Sequence, residues 1–167
     1  MFQFEQASGT KEEQYELAIK QLRYLLEGET DWLANLANSA SHLAEVLGET
    51  NWSGFYLMKQ GELVLGPFIG KAACVRIPVG KGVCGTAIER GETMLVEDVH
   101  AFPGHIACDA ASRSEIVIPL KVNGEIIGVL DIDSPVVSRF DQVDQKYLEQ
   151  YVDTLISMTD WTGVLTR

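Results

Sequence analysis

The most constraining feature of the sequence is a pair of apolar segments joined by a turn signal. Residues 115–133 read EIVIPLKVNGEIIGVLDID. The central Asn123-Gly124 is the dipeptide favoured in a two-residue type I′ turn, so this stretch predicts a β-hairpin. Both faces of the two strands are apolar in the middle, which predicts a central hairpin covered on both sides.

The segments that surround this hairpin predict helices, further strands and a short helix. A capping-box pattern at Thr10 opens a helix that ends near Gly28, and a second helix runs to Gly48. Residues 52–68 predict another hairpin, residues 82–90 a short helix that ends at Gly91, and residues 93–99 another strand. The stretch from Asp98 to Ser114 has no period, which is typical of a functional or mobile loop.

The expected architecture is a single α+β domain over residues 1–167 with a central, mainly antiparallel sheet. The N-terminal helices occupy residues 1–48, the sheet and active-site loops residues 50–134, and the C-terminal helix residues 138–162. That last helix is predicted from near Phe140 to about Trp161. The long terminal helices carry apolar stripes broad enough for both core and interface, so we expect a homodimer.

Composition and charge exclude several function classes. The chain has 24 acidic and 13 basic residues and a net charge of −11, which leaves no basic stripe for a nucleic-acid backbone. The N-terminus lacks the pattern of a secretory leader, and no apolar run approaches the length of a membrane span. We therefore expect a cytoplasmic protein with no nucleic-acid or membrane partner.

The three cysteines fit neither a disulfide framework nor a structural zinc site. Cys74, Cys84 and Cys108 form no C-x-x-C pair and have no histidine partners at zinc spacing, so no metal is expected. Inert packing is the more common role of a free cysteine. Cys108 nevertheless lies in the polar run HIACDAASRSE, outside the apolar strand that follows.

Two acidic residues end the second strand of the central hairpin. Asp131 and Asp133 are two residues apart, so both side chains project from the same face of the strand. If they share a dry site, at least one carboxyl should have a raised pKa and act as a proton donor. Alternatively, the strand emerges into water there and both carboxylates are solvated.

The sequence resembles a known family at several of these positions. The segments IPLKVNGEIIGVLDIDSP and FDQVDQKYLEQYV resemble a GAF domain. The segments NWSGFY, GVCGTA, HIACD and LDIDSP, together with the cysteine spacing, resemble the stand-alone free methionine-(R)-sulfoxide reductases within that group. The resemblance runs over nearly the whole chain.

The resemblance implies a GAF-like fold and a thiol-dependent reduction of free L-methionine-(R)-sulfoxide. Cys108 matches the nucleophile, which becomes a sulfenic acid, Cys74 the main resolving cysteine and Cys84 a second one. Thioredoxin is the implied reductant, and no cofactor is implied. The implied substrate-binding residues are Trp52, Tyr56, Glu115, Asp131 and Asp133, with the three acids jointly polarising the sulfoxide oxygen and holding the ammonium group.

A regular strand register in this hairpin would not bring the three carboxyl groups to one face of the sheet. With a simple two-residue turn, Glu115 faces Ile132 and lies on the opposite side of the sheet from Asp131 and Asp133. Pro119 lies inside the first strand, where proline is confined to edges, strand starts and bulges. We therefore predict a bulge or a break between Glu115 and the turn.

Two other function classes stay open at this point. A GAF-type sensor would bind a small molecule without catalysis, its cysteines incidental or used as a redox switch. A cysteine peroxidase would need the thiols but not the carboxyl cluster. Fold resemblance alone does not fix chemistry.

Overall fold

The computed structural model describes residues 2–4, 8–106 and 108–165. Six strands form one antiparallel sheet in the order β3-β2-β1-β6-β5-β4. Helices pack at both ends of the chain, which confirms the predicted α+β fold. In chain order the elements are α1 (Lys11–Leu26), α2 (Trp32–Val46), β1 (Trp52–Lys59), β2 (Glu62–Ile69), β3 (Arg76–Pro78), α3 (Gly82–Arg90), β4 (Met94–Val96), β5 (Ser114–Val122), β6 (Glu125–Ser134), α4 (Gln142–Ser157) and α5 (Thr162–Leu165).

The central hairpin lies where the sequence predicts it. Strands β5 and β6 sit between β1 and β4, and apolar side chains cover both of their faces. On one face Ile116, Ile118 and Ile132 join the main core under α1, α2 and α4. On the other face Val117 and Val129 pack in a smaller core under α3.

The register of this hairpin shifts by one residue beside Pro119. Near the turn, Lys121 pairs with Ile126, but beyond a bulge between Leu120 and Lys121 the strands pair so that Glu115 faces Asp133. The predicted bulge is therefore confirmed. Its consequence is that Glu115, Asp131 and Asp133 all project from the face that carries α3.

Helix α1 begins, and helix α3 ends, where the cap signals predict. Thr10 forms a capping box with Glu13 at the start of α1. Helix α3 ends at Gly91, whose φ of 66° is the left-handed conformation favoured by glycine. Cys84 lies in the first turn of α3, as expected.

The C-terminal helix is shorter than predicted. It starts after the N-cap Asp141 and ends at Ser157, and the short α5 follows. The chain turns at Asp160, whose backbone bridges to Asp31, while the indole of Trp161 donates to the carbonyl of Ile156. The apolar pattern continues through this turn because Trp161 still packs in the core. Periodicity alone therefore predicts a helix that is too long.

Two short elements were not predicted. Strand β3 has only three residues, one of them proline, and residues 99–101 of the long loop form a 3-10 turn capped by Asp98. Neither is long enough to show a hydrophobic period. Among the described residues, no helix is both long and apolar enough to cross a membrane.

The buried His42 makes the fold sensitive to acid. Its Nδ1 accepts from the hydroxyl of Tyr151 at 2.8 Å and its Nε2 donates to Gln21 at 3.0 Å, so the neutral ring satisfies both partners. Burial lowers the pKa of His42 to about 4, against 6.5 for an exposed histidine. Protons therefore bind the unfolded chain first as the pH falls.

We predict that stability falls between pH 6.5 and pH 4 by roughly 3 kcal/mol from this residue alone. Urea unfolding at a series of pH values measures it. The variant His42→Gln removes the titration, so the difference in slope between the two proteins isolates the histidine. Equal slopes in this window would contradict the prediction.

Candidate active site

A pocket of about 50 Å³ opens on the α3 face of the sheet. Its floor is formed by β1, β5 and β6, one wall by the start of α3, and its rim by the loops that contain Lys71 and Cys108. The pocket brings together seven of the eight predicted site residues, namely Trp52, Tyr56, Cys84, Cys108, Glu115, Asp131 and Asp133. The eighth, Cys74, is covalently bonded to Cys108.

A disulfide joins Cys74 and Cys108 at the rim. Their Cα atoms are 5.7 Å apart, although 34 residues separate them in the chain. Both residues are half-buried. This pairing is the one implied by the resemblance for the nucleophile and the main resolving cysteine. Cys84 is a free thiol and is buried.

Two of the three acidic residues, Glu115 and Asp131, are buried, and Asp133 beside them is half-buried. Glu115 and Asp131 are each only 6% exposed, so the alternative of solvated carboxylates at a strand end is wrong for Asp131. Burial, with the negative charges of Asp131 and Asp133, raises the pKa of Glu115 well above its usual range. Burial raises the pKa of Asp131 to about 6, and burial with neighbouring negative charge raises that of Asp133. The cluster thus retains protons near neutral pH.

Cys84 lies against this cluster. Its Sγ is 3.9 Å from Oε1 of Glu115, and burial together with the three negative charges raises the pKa of its thiol. It is therefore a protonated hydrogen-bond donor to the acids. The ligand atoms of Cys84, Glu115 and Asp131 all lie within 4.8 Å of one another, so these three residues could also hold a metal ion.

An aromatic wall faces the acids. The ring of Trp52 stacks between Tyr56, with centroids 5.9 Å apart, and Phe68, at 5.2 Å. Its Nε1 donates to the carbonyl of Lys71 at 3.1 Å, so the indole N–H is satisfied, and the ring lines the pocket. The pocket therefore combines aromatic and acidic side chains with the disulfide-bonded Cys108.

Comparisons with known proteins show the family and the fold. A model of the GAF domain matches residues 30–156. Protein YtsP of Bacillus subtilis is 59% identical over 93% of this chain and 96% of its own length. A free methionine-R-sulfoxide reductase of Escherichia coli is 57% identical over 82% of this chain and 85% of its own length. The structure of a free methionine-R-sulfoxide reductase from Neisseria meningitidis, solved in complex with its substrate, superposes with a TM-score of 0.91 at 46% identity, covering 95% of each chain.

The chain belongs to the GAF-domain family of free methionine-R-sulfoxide reductases. The resemblance read from the sequence is thereby confirmed.

The structure adds a polar anchor that sequence reasoning missed. The Asn51 amide donates to Asp109 at 3.2 Å and to Ser112 at 3.1 Å, and its backbone N–H donates to the carbonyl of Asp133 at 3.0 Å. The loop that carries Cys108 is thus attached to the end of β6. The signal was present in the motifs NWSGFY and HIACD, but nothing in their spacing showed that they meet.

We predict that the oxidised protein contains one thiol that reacts slowly with iodoacetamide until the chain unfolds. Cys84 is only 4% exposed and its raised pKa keeps it protonated, and both properties slow alkylation. Alkylation of native and denatured protein, followed by peptide mass mapping, measures this. Cys84→Ser should then show no free thiol in either state, and rapid labelling of native Cys84 would contradict the structure.

Proposed function

We propose that this protein reduces free L-methionine-(R)-sulfoxide to L-methionine. The observation that carries the proposal is that Glu115, Asp131 and Asp133 line the same pocket as Cys108, which is bonded to Cys74. A thiol that attacks sulfoxide sulfur needs a proton donor beside it, and this pocket supplies both. Family membership supports the same reaction.

In the proposed first step, the Cys108 thiolate attacks the sulfur of the substrate. The sulfur–oxygen bond of the sulfoxide breaks, its oxygen is transferred to Cys108 with one proton, and methionine leaves. Cys108 is oxidised to a sulfenic acid and the substrate sulfur is reduced. The oxygen is a poor leaving group unless it is protonated or strongly hydrogen-bonded, so a carboxyl that retains its proton donates to it.

In this proposal, an ionised carboxylate of the cluster and the aromatic wall bind the substrate. A carboxylate of the cluster accepts from the α-ammonium group, since an ionised acid in a dry site binds a cation strongly. The methyl group packs on the indole of Trp52, which is 4% exposed and has its N–H already paired. The three acids serve these tasks jointly, with no division assigned.

In the proposed second step, Cys74 condenses with the sulfenic acid and gives the disulfide seen in the structure. A dithiol of the thioredoxin class then reduces this bond and is itself oxidised. The half-buried position of both sulfur-bearing residues at the rim leaves room for that attack. Because the cycle needs a reducing compartment, we place the reaction in the cytoplasm.

A non-catalytic sensor is the second candidate function. One of the similar solved structures is that of a putative GAF sensor protein from Burkholderia vietnamiensis, with a TM-score of 0.89 and 49% identity. A sensor would bind its ligand without consuming it. The disulfide between Cys74 and the pocket residue Cys108 favours the reductase, because binding alone does not require two cysteines there.

We predict epimer-selective methionine release that depends on Cys108. Separated R and S epimers of free L-methionine sulfoxide are supplied with thioredoxin, thioredoxin reductase and NADPH. Wild type should release methionine from the R epimer, and Cys108→Ser should lose turnover by at least a hundredfold, because the raised pKa of the Cys84 thiol keeps it protonated and a poor substitute nucleophile. If wild type binds the sulfoxide but never turns it over, the sensor replaces the reductase.

A second prediction concerns the acids. Glu115→Gln should lower the first-turnover rate by about a hundredfold or more, since an amide keeps the shape but is no proton donor of comparable strength. Asp153→Asn is the matched control, because this carboxylate is exposed on α4 and outside the pocket. Rapid-quench measurement of methionine formation compares the two. Equal rates in both variants would remove Glu115 from the reaction.

We also propose a homodimer, on the basis of the broad apolar stripes of α1 and α4. Several large apolar side chains remain exposed, including Tyr24 at 64% on α1. Analytical ultracentrifugation at micromolar concentration tests this directly. A single monomer species would contradict it.

A further inference from the structure

The hydroxyl of Tyr56 forms a hydrogen bond to the segment that carries Cys74. Tyr56 is 2% exposed, and its hydroxyl donates to the carbonyl of Cys74 at 2.8 Å. The residue lies on β1, in the interior of the sheet, where its backbone pairs with Val129. Its ring faces the pocket, but its polar atom points to the peptide of the resolving cysteine.

Apart from packing of Ala73 and Cys74 on the smaller core, the Cys74 segment is attached to the sheet by a few hydrogen bonds. Residues 72–74 have no regular secondary structure, and β3 begins only at Arg76. The backbone is attached to the sheet on the C-terminal side, where Leu65 donates to the carbonyl of Val75 at 2.9 Å. On the N-terminal side the indole of Trp52 donates to the carbonyl of Lys71. Between these points, Tyr56 holds the Cys74 peptide itself.

We propose that Tyr56 is a positioning residue for the second half of the reaction, holding Cys74 where its thiol meets the sulfenic acid of Cys108. This inference rests on the proposed function. It gives Tyr56 a role beyond substrate binding, because its hydroxyl acts on the resolving cysteine, Cys74.

The step that Tyr56 assists is a condensation within the chain. The Cys74 sulfur forms a bond to the Cys108 sulfur, the S–O bond of the sulfenic acid breaks, and the hydroxyl leaves with the Cys74 proton as water. No further oxidant or reductant is needed. The rate depends on how often the two sulfur atoms come into contact. A mobile Cys74 segment would therefore lower the effective concentration of the Cys74 thiol at the Cys108 sulfenic acid.

The test is Tyr56→Phe, which retains the ring and removes the hydroxyl. Reduced protein is mixed with excess free L-methionine-(R)-sulfoxide and quenched at intervals without reductant. Methionine release, disulfide formation and dimedone-trapped Cys108 are then measured by mass spectrometry. We expect disulfide formation to slow about fivefold to tenfold, as for loss of one buried hydrogen bond, so that trapped sulfenic acid accumulates in the variant.

The matched control is Tyr151→Phe. Tyr151 is fully buried, and its hydroxyl bonds to His42 in the core on the opposite face of the sheet. That variant also loses one buried tyrosine hydroxyl and some thermal stability, but its disulfide should form at the wild-type rate. Melting temperatures of both variants show that each remains folded.

Two results would overturn the inference. One is a wild-type rate of disulfide formation in Tyr56→Phe without accumulation of sulfenic acid. The other is equal slowing in Tyr151→Phe, which would show a general loss of stability. A parallel arm oxidises the reduced proteins with hydrogen peroxide, which forms a cysteine sulfenic acid without sulfoxide chemistry. If wild type releases no methionine, the reductase proposal fails, and the peroxide arm still decides the role of Tyr56.

Discussion

The site depends on one shift in strand register. A simple two-residue turn at Asn123-Gly124 would direct Glu115 to the face under α1, α2 and α4, among the apolar side chains of the main core. The bulge between Leu120 and Lys121 reverses this and places Glu115 opposite Asp133. Because Glu115 then lies beside Asp131, itself 6% exposed, the carboxyls repel one another and lose hydration. Their raised pKa values are a direct consequence of the register, and the proton donor of the proposed reaction follows from them.

The sheet can hold this polar site because its main apolar core lies on the opposite face. Burying carboxyl groups is unfavourable unless they are neutral or paired, and the raised pKa values of these acids favour the neutral form. The apolar core lies on the other face, where α1, α2 and α4 cover Phe55, Ile118 and Leu130. The α3 face has a smaller core and can therefore hold a pocket. The rim loops are held by the Cys74–Cys108 disulfide and by a few hydrogen bonds, such as those of Asn51 with Asp109 and of Tyr56 with Cys74.

Much of this architecture was predictable from the sequence, because it rests on local signals. The capping box at Thr10, the Asn123-Gly124 turn and the C-cap Gly91 each act within a few residues, and each lies where expected. The bulge was predictable because Pro119 conflicts with a regular central strand. The end of α4 was not, because apolar periodicity continues past Ser157. The links from Asn51 and Tyr56 to the rim loops were also out of reach, since long-range hydrogen bonds leave no periodic trace.

The most direct test of the account follows the sulfoxide oxygen. Free L-methionine-(R)-sulfoxide labelled with a heavy oxygen isotope is mixed with the reduced Cys74→Ser/Cys84→Ser variant, in which the sulfenic acid cannot be resolved. The product is trapped with a chloronitrobenzofurazan reagent, which keeps the oxygen on sulfur, and analysed by mass spectrometry. The account predicts a heavy-isotope adduct on Cys108, formed in equal amount to the methionine released. An adduct with light oxygen from water, or methionine release with unmodified Cys108, would contradict it.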